Sequence, residues 1–497
     1  MLIFDRAVPE GDDLALGEPQ RFSITDLDCR SFFCEARWEG TRLSIAAPAQ
    51  TPVAIQLRFA ARGFGPLWLT ADNGGSGYSE DGQTRRLLPE LAASQVARCH
   101  RRVAQDDQGD AARHLLGELP AGDIQAGDLG LEEAAELLGR ALRIGEDIEH
   151  ALSTRRGQGG ALLSGTLFGE RQGPYAIGVG PDWPSTATPD FLRPDHEWPL
   201  IAAACQATTL PSFWRWVEYQ PGQFNWAPLD RILDYAEQHA MRVKSFALYW
   251  GGIGSVPPWF RHLSYASQKE AICRWVETIV GRYRGRISTW ETVNEMHDWH
   301  FCNRFHWSHT QLLEVTRLVS DLIGALDPGT PRLINNCQIW GEYLQHSGME
   351  GKWNPRTYLE AVLAEEIPFE AIGLQFYNPG RDMLQMALHL DRFISLGKRI
   401  YVTEMGTPSA PDSPDSPTGQ QGLAVGWRDT WTPELQADWV DRFLTLATAR
   451  PEVAVINYWD FDDTCSFVPA AGLLDAHGRP KPAYDAWARH RPPAPEA

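Results

Sequence analysis

Ile400-Tyr401-Val402-Thr403-Glu404-Met405-Gly406 is an apolar run that delivers a carboxylate, and Trp290-Glu291-Thr292-Val293-Asn294-Glu295 is a second of the same kind. Short apolar runs bounded by turn signals read as buried strands. Working outward from these two, six further runs of that type follow residue 160. The eight candidate strands are 162–168, 202–209, 243–250, 288–294, 332–336, 371–377, 399–403 and 453–459. Amphipathic stretches such as 229–236 and 268–283 lie between them. Strand–helix alternation of this length predicts a parallel α/β fold, and eight strands over roughly 330 residues predict a (β/α)8 TIM barrel. A doubly wound open sheet alternates too, but no Gly-rich phosphate turn follows the first strand.

The chain before the barrel has another texture. Runs of period two such as Val53-Ala54-Ile55-Gln56-Leu57-Arg58-Phe59, separated by clusters such as Asp72-Asn73-Gly74-Gly75, predict strands and turns. We read residues 1–125 as a β-rich, β-sandwich-like accessory domain, 126–160 as a helical linker and 161–490 as the catalytic barrel. The linker reading rests on Leu131, Ala134, Ala135, Leu138, Ala141 and Leu142, which share one helical face.

Acidic residues outnumber basic ones 64 to 45, a net charge of −19. Such a surface repels phosphate backbones and anionic lipid, so neither nucleic acid nor membrane is an expected partner. A neutral polysaccharide or oligosaccharide is not repelled. The eight cysteines include no C-x-x-C pair, so no metal and no cofactor are expected, and the thiols are read as reduced. The N-terminus has no apolar stretch of signal length, which makes cytoplasmic the expected location. Oligomeric state is left open. Of 20 tryptophans, only Trp38 and Trp68 precede the barrel. Indole faces stack on sugar rings, so the skew places sugar chemistry in the barrel. It leaves a carbohydrate-binding role for the first domain less expected than a structural one.

Barrel enzymes carry their catalytic groups at the C-terminal ends of strands. Glu295 follows strand four and Glu404 follows strand seven of the predicted barrel. Two carboxyl groups facing one bond are what glycoside hydrolysis requires, one to protonate the leaving oxygen and one to attack the anomeric carbon or activate water. Asn294, beside Glu295, can bond a sugar 2-hydroxyl.

These segments resemble glycoside hydrolase family 10, a xylanase family of retaining (β/α)8 enzymes. Trp290–Glu295 resembles the acid/base segment, and Val402-Thr403-Glu404 the nucleophile segment. Gln223-Phe224-Asn225-Trp226, Ile372-Gly373-Leu374-Gln375, Asn457-Tyr458-Trp459-Asp460 and Gly472-Leu473-Leu474-Asp475 follow the family order as well. The resemblance implies a retaining glycoside hydrolase, endo-1,4-β-xylanase-like, cleaving β-1,4-linked xylan or xylo-oligosaccharides by double displacement. It implies Glu295 as acid/base, Glu404 as nucleophile, Asn294 at the 2-hydroxyl, and Gln375 and Trp459 on the glycone side. Another β-glycan, or a non-catalytic carbohydrate-binding role, is the alternative.

The departures from the family pattern lie among the sugar contacts. Phe213 stands where the family has lysine, Gly251 where it has histidine, and Tyr377 where it has the histidine after strand six. Tyr377 is expected either to donate a hydrogen bond to the nucleophile or to be a core tyrosine. Trp250 is a candidate sugar platform, and Arg215 a candidate replacement for the missing cation. Asp460, Asp462 and Asp463 could bond sugars or a cation, although capping is the commoner use of such residues. Pro408–Pro417, after strand seven, reads either as a lid or subsite wall or as an insertion.

Overall fold

The computed structural model describes residues 1–9, 22–48, 51–106, 109–169, 191–252, 255–346, 348–377, 380–411, 426–466 and 468–492. Eight parallel strands form one sheet: Leu162–Gly165, Ala207–Leu210, Arg242–Ser245, Trp290–Asn294, Arg332–Asn336, Ala371–Tyr377, Arg399–Gly406 and Val453–Tyr458. The eighth pairs with the first. Parallel bridges from Lys244 to Thr289 and from Tyr249 to Val293 join the third to the fourth, so the sheet closes into the expected barrel. Its strands are apolar because both faces are covered, one by the barrel interior and one by helices.

One candidate strand is half helix. Trp198–Ala204 is helical, with Pro199 in its first turn, and only Ala207–Leu210 joins the sheet. The alanines favour the helix, whereas the β-branched Thr208 and Thr209 favour the strand.

The barrel interior carries a polar relay toward its C-terminal end. Ser164 donates to Asn457 Oδ1 at 2.6 Å. Asn457 Nδ2 donates to the Thr403 carbonyl at 3.0 Å, and Thr403 Oγ1 donates to Asn335 Oδ1 at 2.6 Å. Beneath it, Lys244 pairs with the fully buried Glu291.

The N-terminal region holds two small sheets, one of four strands and one of three. Its β-rich part ends at Arg86. Residues 87–104 form an 18-residue helix, and Asp110–Leu116 form another, where the sequence reading extended the β-domain to 125. The reason is legible afterwards: Leu88, Leu91, Ala92, Val96, Cys99 and Val103 recur at helical spacing, and Pro89 sits in the first turn, where no N–H is needed.

Nor is the predicted linker a tether. Leu131–Arg156 is a 26-residue helix that fastens the first region to the barrel. Its Glu149 accepts from Arg102 at 2.6 and 3.1 Å and from Arg450 at 3.2 Å, and both arginines also pair with Asp391. One turn earlier, Glu146 accepts from the Met383 backbone N–H at 3.0 Å and from Trp427 Nε1 at 2.8 Å. Trp68 of the first region lies under the Arg381 guanidinium of the barrel at 5.2 Å, a structural use of that indole.

Glu149→Ala removes a carboxylate shared by two buried arginines and leaves both of them to Asp391 alone. Losing one partner of a buried ion pair costs about 3–5 kcal/mol. We expect a loss of that size in urea unfolding, within one cooperative transition. A separate early transition for the N-terminal region would contradict this docking. No helix among the described residues is long and apolar enough to cross a membrane.

Candidate active site

The C-terminal ends of strands four to seven meet over one small volume. Glu295 follows the strand Trp290–Asn294 directly, with its backbone at φ 58, in the left-handed region. That conformation costs a non-glycine residue about 1–3 kcal/mol. It is held by the Glu295 N–H donating to the Asn335 carbonyl at 2.9 Å. Glu404 lies inside the strand Arg399–Gly406, where a register shift between Leu374 and Gln375 pairs Gln375 with Glu404. Such irregularities re-aim side chains next to active sites.

One nitrogen joins the two carboxyl groups. Gln375 Nε2 donates to Glu295 Oε1 at 2.8 Å and to Glu404 Oε1 at 3.0 Å. An amide nitrogen has two hydrogens, so it can serve both. Two bonds of this length from one atom keep the facing oxygens below the about 6.5–9.5 Å of inverting enzymes and suit the about 5–5.5 Å of retaining ones.

Each carboxyl group has its own further donors. Tyr377 Oη donates to Glu404 Oε2 at 2.8 Å, and Asn335 Nδ2 donates to Glu404 Oε1 at 3.3 Å. Asn335 is turned that way because Thr403 Oγ1 occupies its carbonyl oxygen. Around Glu295 Oε2 stand Trp250 Nε1 at 3.0 Å and the Cys302 thiol at 2.7 Å.

Both carboxyl groups are buried, at 7% exposure each. Burial raises the Glu295 pKa above the usual carboxylate range. Burial, and then the charge of Glu295, raise that of Glu404 well above it. The physical consequence belongs to the pair: two buried carboxyl groups this close disfavour ionisation of both at once. Tyr377 and Asn335 supply strong O–H and N–H donors to Glu404, which suits the ionised form. At Glu295 burial outweighs the donors Cys302, Gln375 and Trp250 and favours the protonated form.

Most of the other candidates find definite places. Asn294 is buried at the end of strand four, and its inaccessible Oδ1 accepts no hydrogen bond from the described residues. The sequence reading offered Trp250 as a platform. Its ring is instead buried edge-on to Phe246, and its N–H is spent on Glu295. Trp459 sits edge-on to Phe168 at 5.4 Å and tilted on Phe246 at 5.8 Å. Phe213, in the lysine position, stacks on Phe246 at 4.1 Å, so an aromatic cluster lines this end of the barrel. Arg215 does not act as the missing cation at the carboxyl pair. It is half-buried on the short helix Trp214–Val217, and the electrostatic neighbours that shift it are Arg261 and Tyr219.

Two of the three acids after strand eight, Asp462 and Asp463, are taken up in structural pairs, while Asp460 is buried next to Trp459. Asp462 pairs with the buried Arg193 and caps the turn at Thr464, while Asp463 pairs with Lys481 at 2.9 Å. Of the proline-rich stretch, residues 412–417 lie outside the described residues.

The sequence reading missed Asn335, Cys302 and Cys337. Asn335 lies at the C-terminal end of the fifth candidate strand and Cys337 directly follows that strand, positions that could have flagged them. Cys302 arrives from the loop after strand four without a local signal. The donor atoms of Glu295, Cys302 and Cys337 all lie within 4.8 Å of one another and could hold a metal ion.

The family model described as Glycosyl hydrolase family 10 matches residues 211–490. Endo-1,4-beta-xylanase B of Thermotoga neapolitana is 24% identical over 284 residues, covering 54% of this chain and 75% of the relative. Endo-1,4-beta-xylanase 3 of Hypocrea jecorina is 23% identical over 286 residues, covering 55% and 71%. Among solved structures, native xylanase 10B from Thermotoga maritima superposes with a TM-score of 0.50 at 18% identity, covering 68% of this chain and 96% of that one. The match extends over more than half of the sequence and includes both glutamates.

Proposed function

We propose, from the premise that this chain belongs to glycosyl hydrolase family 10, that it cleaves β-1,4-linked xylan or xylo-oligosaccharides with retention of anomeric configuration. The observation that carries the reading is Gln375 Nε2 bonded to both carboxyl groups at once, a spacing suited to double displacement. Relatives named endo-1,4-beta-xylanase support xylan as the substrate class.

In the first step, Glu404 attacks the anomeric carbon while Glu295 gives its proton to the leaving glycosidic oxygen, and a glycosyl ester forms on Glu404. In the second, Glu295, now ionised, takes a proton from water as that water displaces Glu404. Gln375 touches both carboxyl groups and so keeps their spacing through both steps. Tyr377 orients Glu404 and is given up to the ester oxygen as charge leaves it. Asn294, next to Glu295, is the residue assigned to the sugar 2-hydroxyl, a contact that strengthens in the transition state.

The test is sugar release from xylan, mixed-linkage β-glucan and mannan, with the product anomer read by NMR at early times. Xylan as the preferred polymer and a β-configured first product are expected. Preference for another glycan would move the substrate and leave the mechanism. An α-configured first product would remove double displacement. Tyr377→Phe deletes one hydrogen bond to a charged group, worth about 1.5–3 kcal/mol. We expect kcat to fall by roughly 10- to 100-fold with little change in KM.

A further inference from the structure

We propose that Glu295, Cys302 and Cys337, backed by His297, form a binding site for a soft divalent cation such as zinc or cadmium, and that an ion seated there switches hydrolysis off. The switching half rests on Glu295 being the acid/base, as read above; the binding half does not.

The argument begins with the donor set. Two sulfurs and a carboxylate oxygen converge within 4.8 Å of one another. Bonds of about 2.3 Å to sulfur and about 2.0–2.2 Å to oxygen or nitrogen place tetrahedral ligands about 3.5 Å apart. Cys302 Sγ stands 2.7 Å from Glu295 Oε2, and Cys337 Sγ stands 3.8 Å from His297 Nε2. Small side-chain rotations bring either spacing to the required one.

Two sulfurs select thiophilic ions over magnesium or calcium. His297 adds an imidazole nitrogen beside the second sulfur, Nε2 lying 3.8 Å from Cys337 Sγ. His297 follows Glu295 by two residues, and it is fully buried beside Tyr343, 5.7 Å between ring centres. Neither Cys337 nor His297 hydrogen-bonds Glu404 or the bridging Gln375 among the described residues, so the hydrolytic mechanism as read above does not account for their presence here.

Binding is a ligand exchange without redox change. Each thiol, and Glu295 where it carries a proton, releases that proton to solvent as its donor atom bonds the ion, so coordinated Glu295 has none to give a leaving group. The ion therefore competes with the first chemical step rather than with sugar binding.

Cadmium titration of the full chain, kept reduced by a phosphine, tests both halves. Ultraviolet thiolate-to-cadmium absorption and xylan hydrolysis are followed together. Absorption saturating at one equivalent is expected, with hydrolysis falling at least about tenfold in step with it and returning on chelation. Cys302→Ser and Cys337→Ser, each compared with its own metal-free rate, should need about 10- to 100-fold more cadmium for the same inhibition. Magnesium should do neither.

Absence of the absorption band, or its persistence in both variants, would overturn the site. A band without loss of activity would overturn the switch. Failure of the metal-free protein to hydrolyse any β-glycan would instead count against the proposed function, while the absorption arm would still read the site.

Discussion

Glu404→Ala is expected to lower kcat on xylan by roughly 10^4- to 10^6-fold, the scale on which covalent enzymes lose activity with their nucleophile. The loss should be as large on an activated aryl xylobioside as on the polymer, because no leaving group is good enough to do without an attacking atom. Folding should survive. Glu404 is buried beside Gln375, Tyr377 and Asn335 but pairs directly with no cation among the described residues, so its removal relieves like-charge repulsion with Glu295 even as it leaves donors unfilled.

The same variant gives a sharper readout than a dead enzyme. Truncation opens a small space on the nucleophile face, and azide fits such a space. With an activated substrate, azide there would attack once, and the product would be the α-glycosyl azide, inverted at the anomeric carbon. Recovery of the β-azide, or azide-independent residual activity within tenfold of wild type, would place the nucleophile elsewhere.

How much of this was readable beforehand follows from where the information lies. The strands Arg332–Asn336 and Ala371–Tyr377 coincide with their sequence-based limits, since apolar, β-branched and aromatic residues between polar turns leave little other choice. Glu295 and Glu404 were legible for the same reason, each ending such a run. What was not legible depends on chain segments far apart in sequence. The Gln375 bridge needs a register shift against strand seven. The Trp250 N–H could be assigned to Glu295 only once strands three and four were closed against each other. Cys302 reaches Glu295 from a loop with no periodicity. The helix Leu87–Ala104 was lost to the strand signals just before it, although its own apolar spacing was helical.

Glu295→Ala should separate substrates by their leaving groups. On xylan, where the departing sugar oxygen needs a proton, kcat/KM is expected to fall by about 10^3- to 10^4-fold, the upper part of the range for one acid–base group. That corresponds to about 4–5.5 kcal/mol of barrier. On a dinitrophenyl xylobioside, whose phenolate leaves unaided, kcat/KM should fall less than about tenfold. The second step still lacks its base, so the glycosyl ester should accumulate, with a burst of phenolate and a KM that falls together with kcat. Azide, bound where the carboxyl group was, should speed that second step and give the β-glycosyl azide, since two displacements restore the configuration. The anomer therefore distinguishes this variant from Glu404→Ala. The pH profile supplies an independent arm. Wild-type activity needs Glu404 ionised and Glu295 protonated, and burial raises the Glu295 pKa. The alkaline limb should thus lie above the ordinary glutamate value of about 4.3, and activity should fall as pH rises through it because the acid loses its proton. In Glu295→Ala, assayed on the activated substrate, that limb should vanish while the acid limb, set by protonation of Glu404, remains. Equal losses on both substrates, or an alkaline limb unchanged by the substitution, would mean that another group donates the proton.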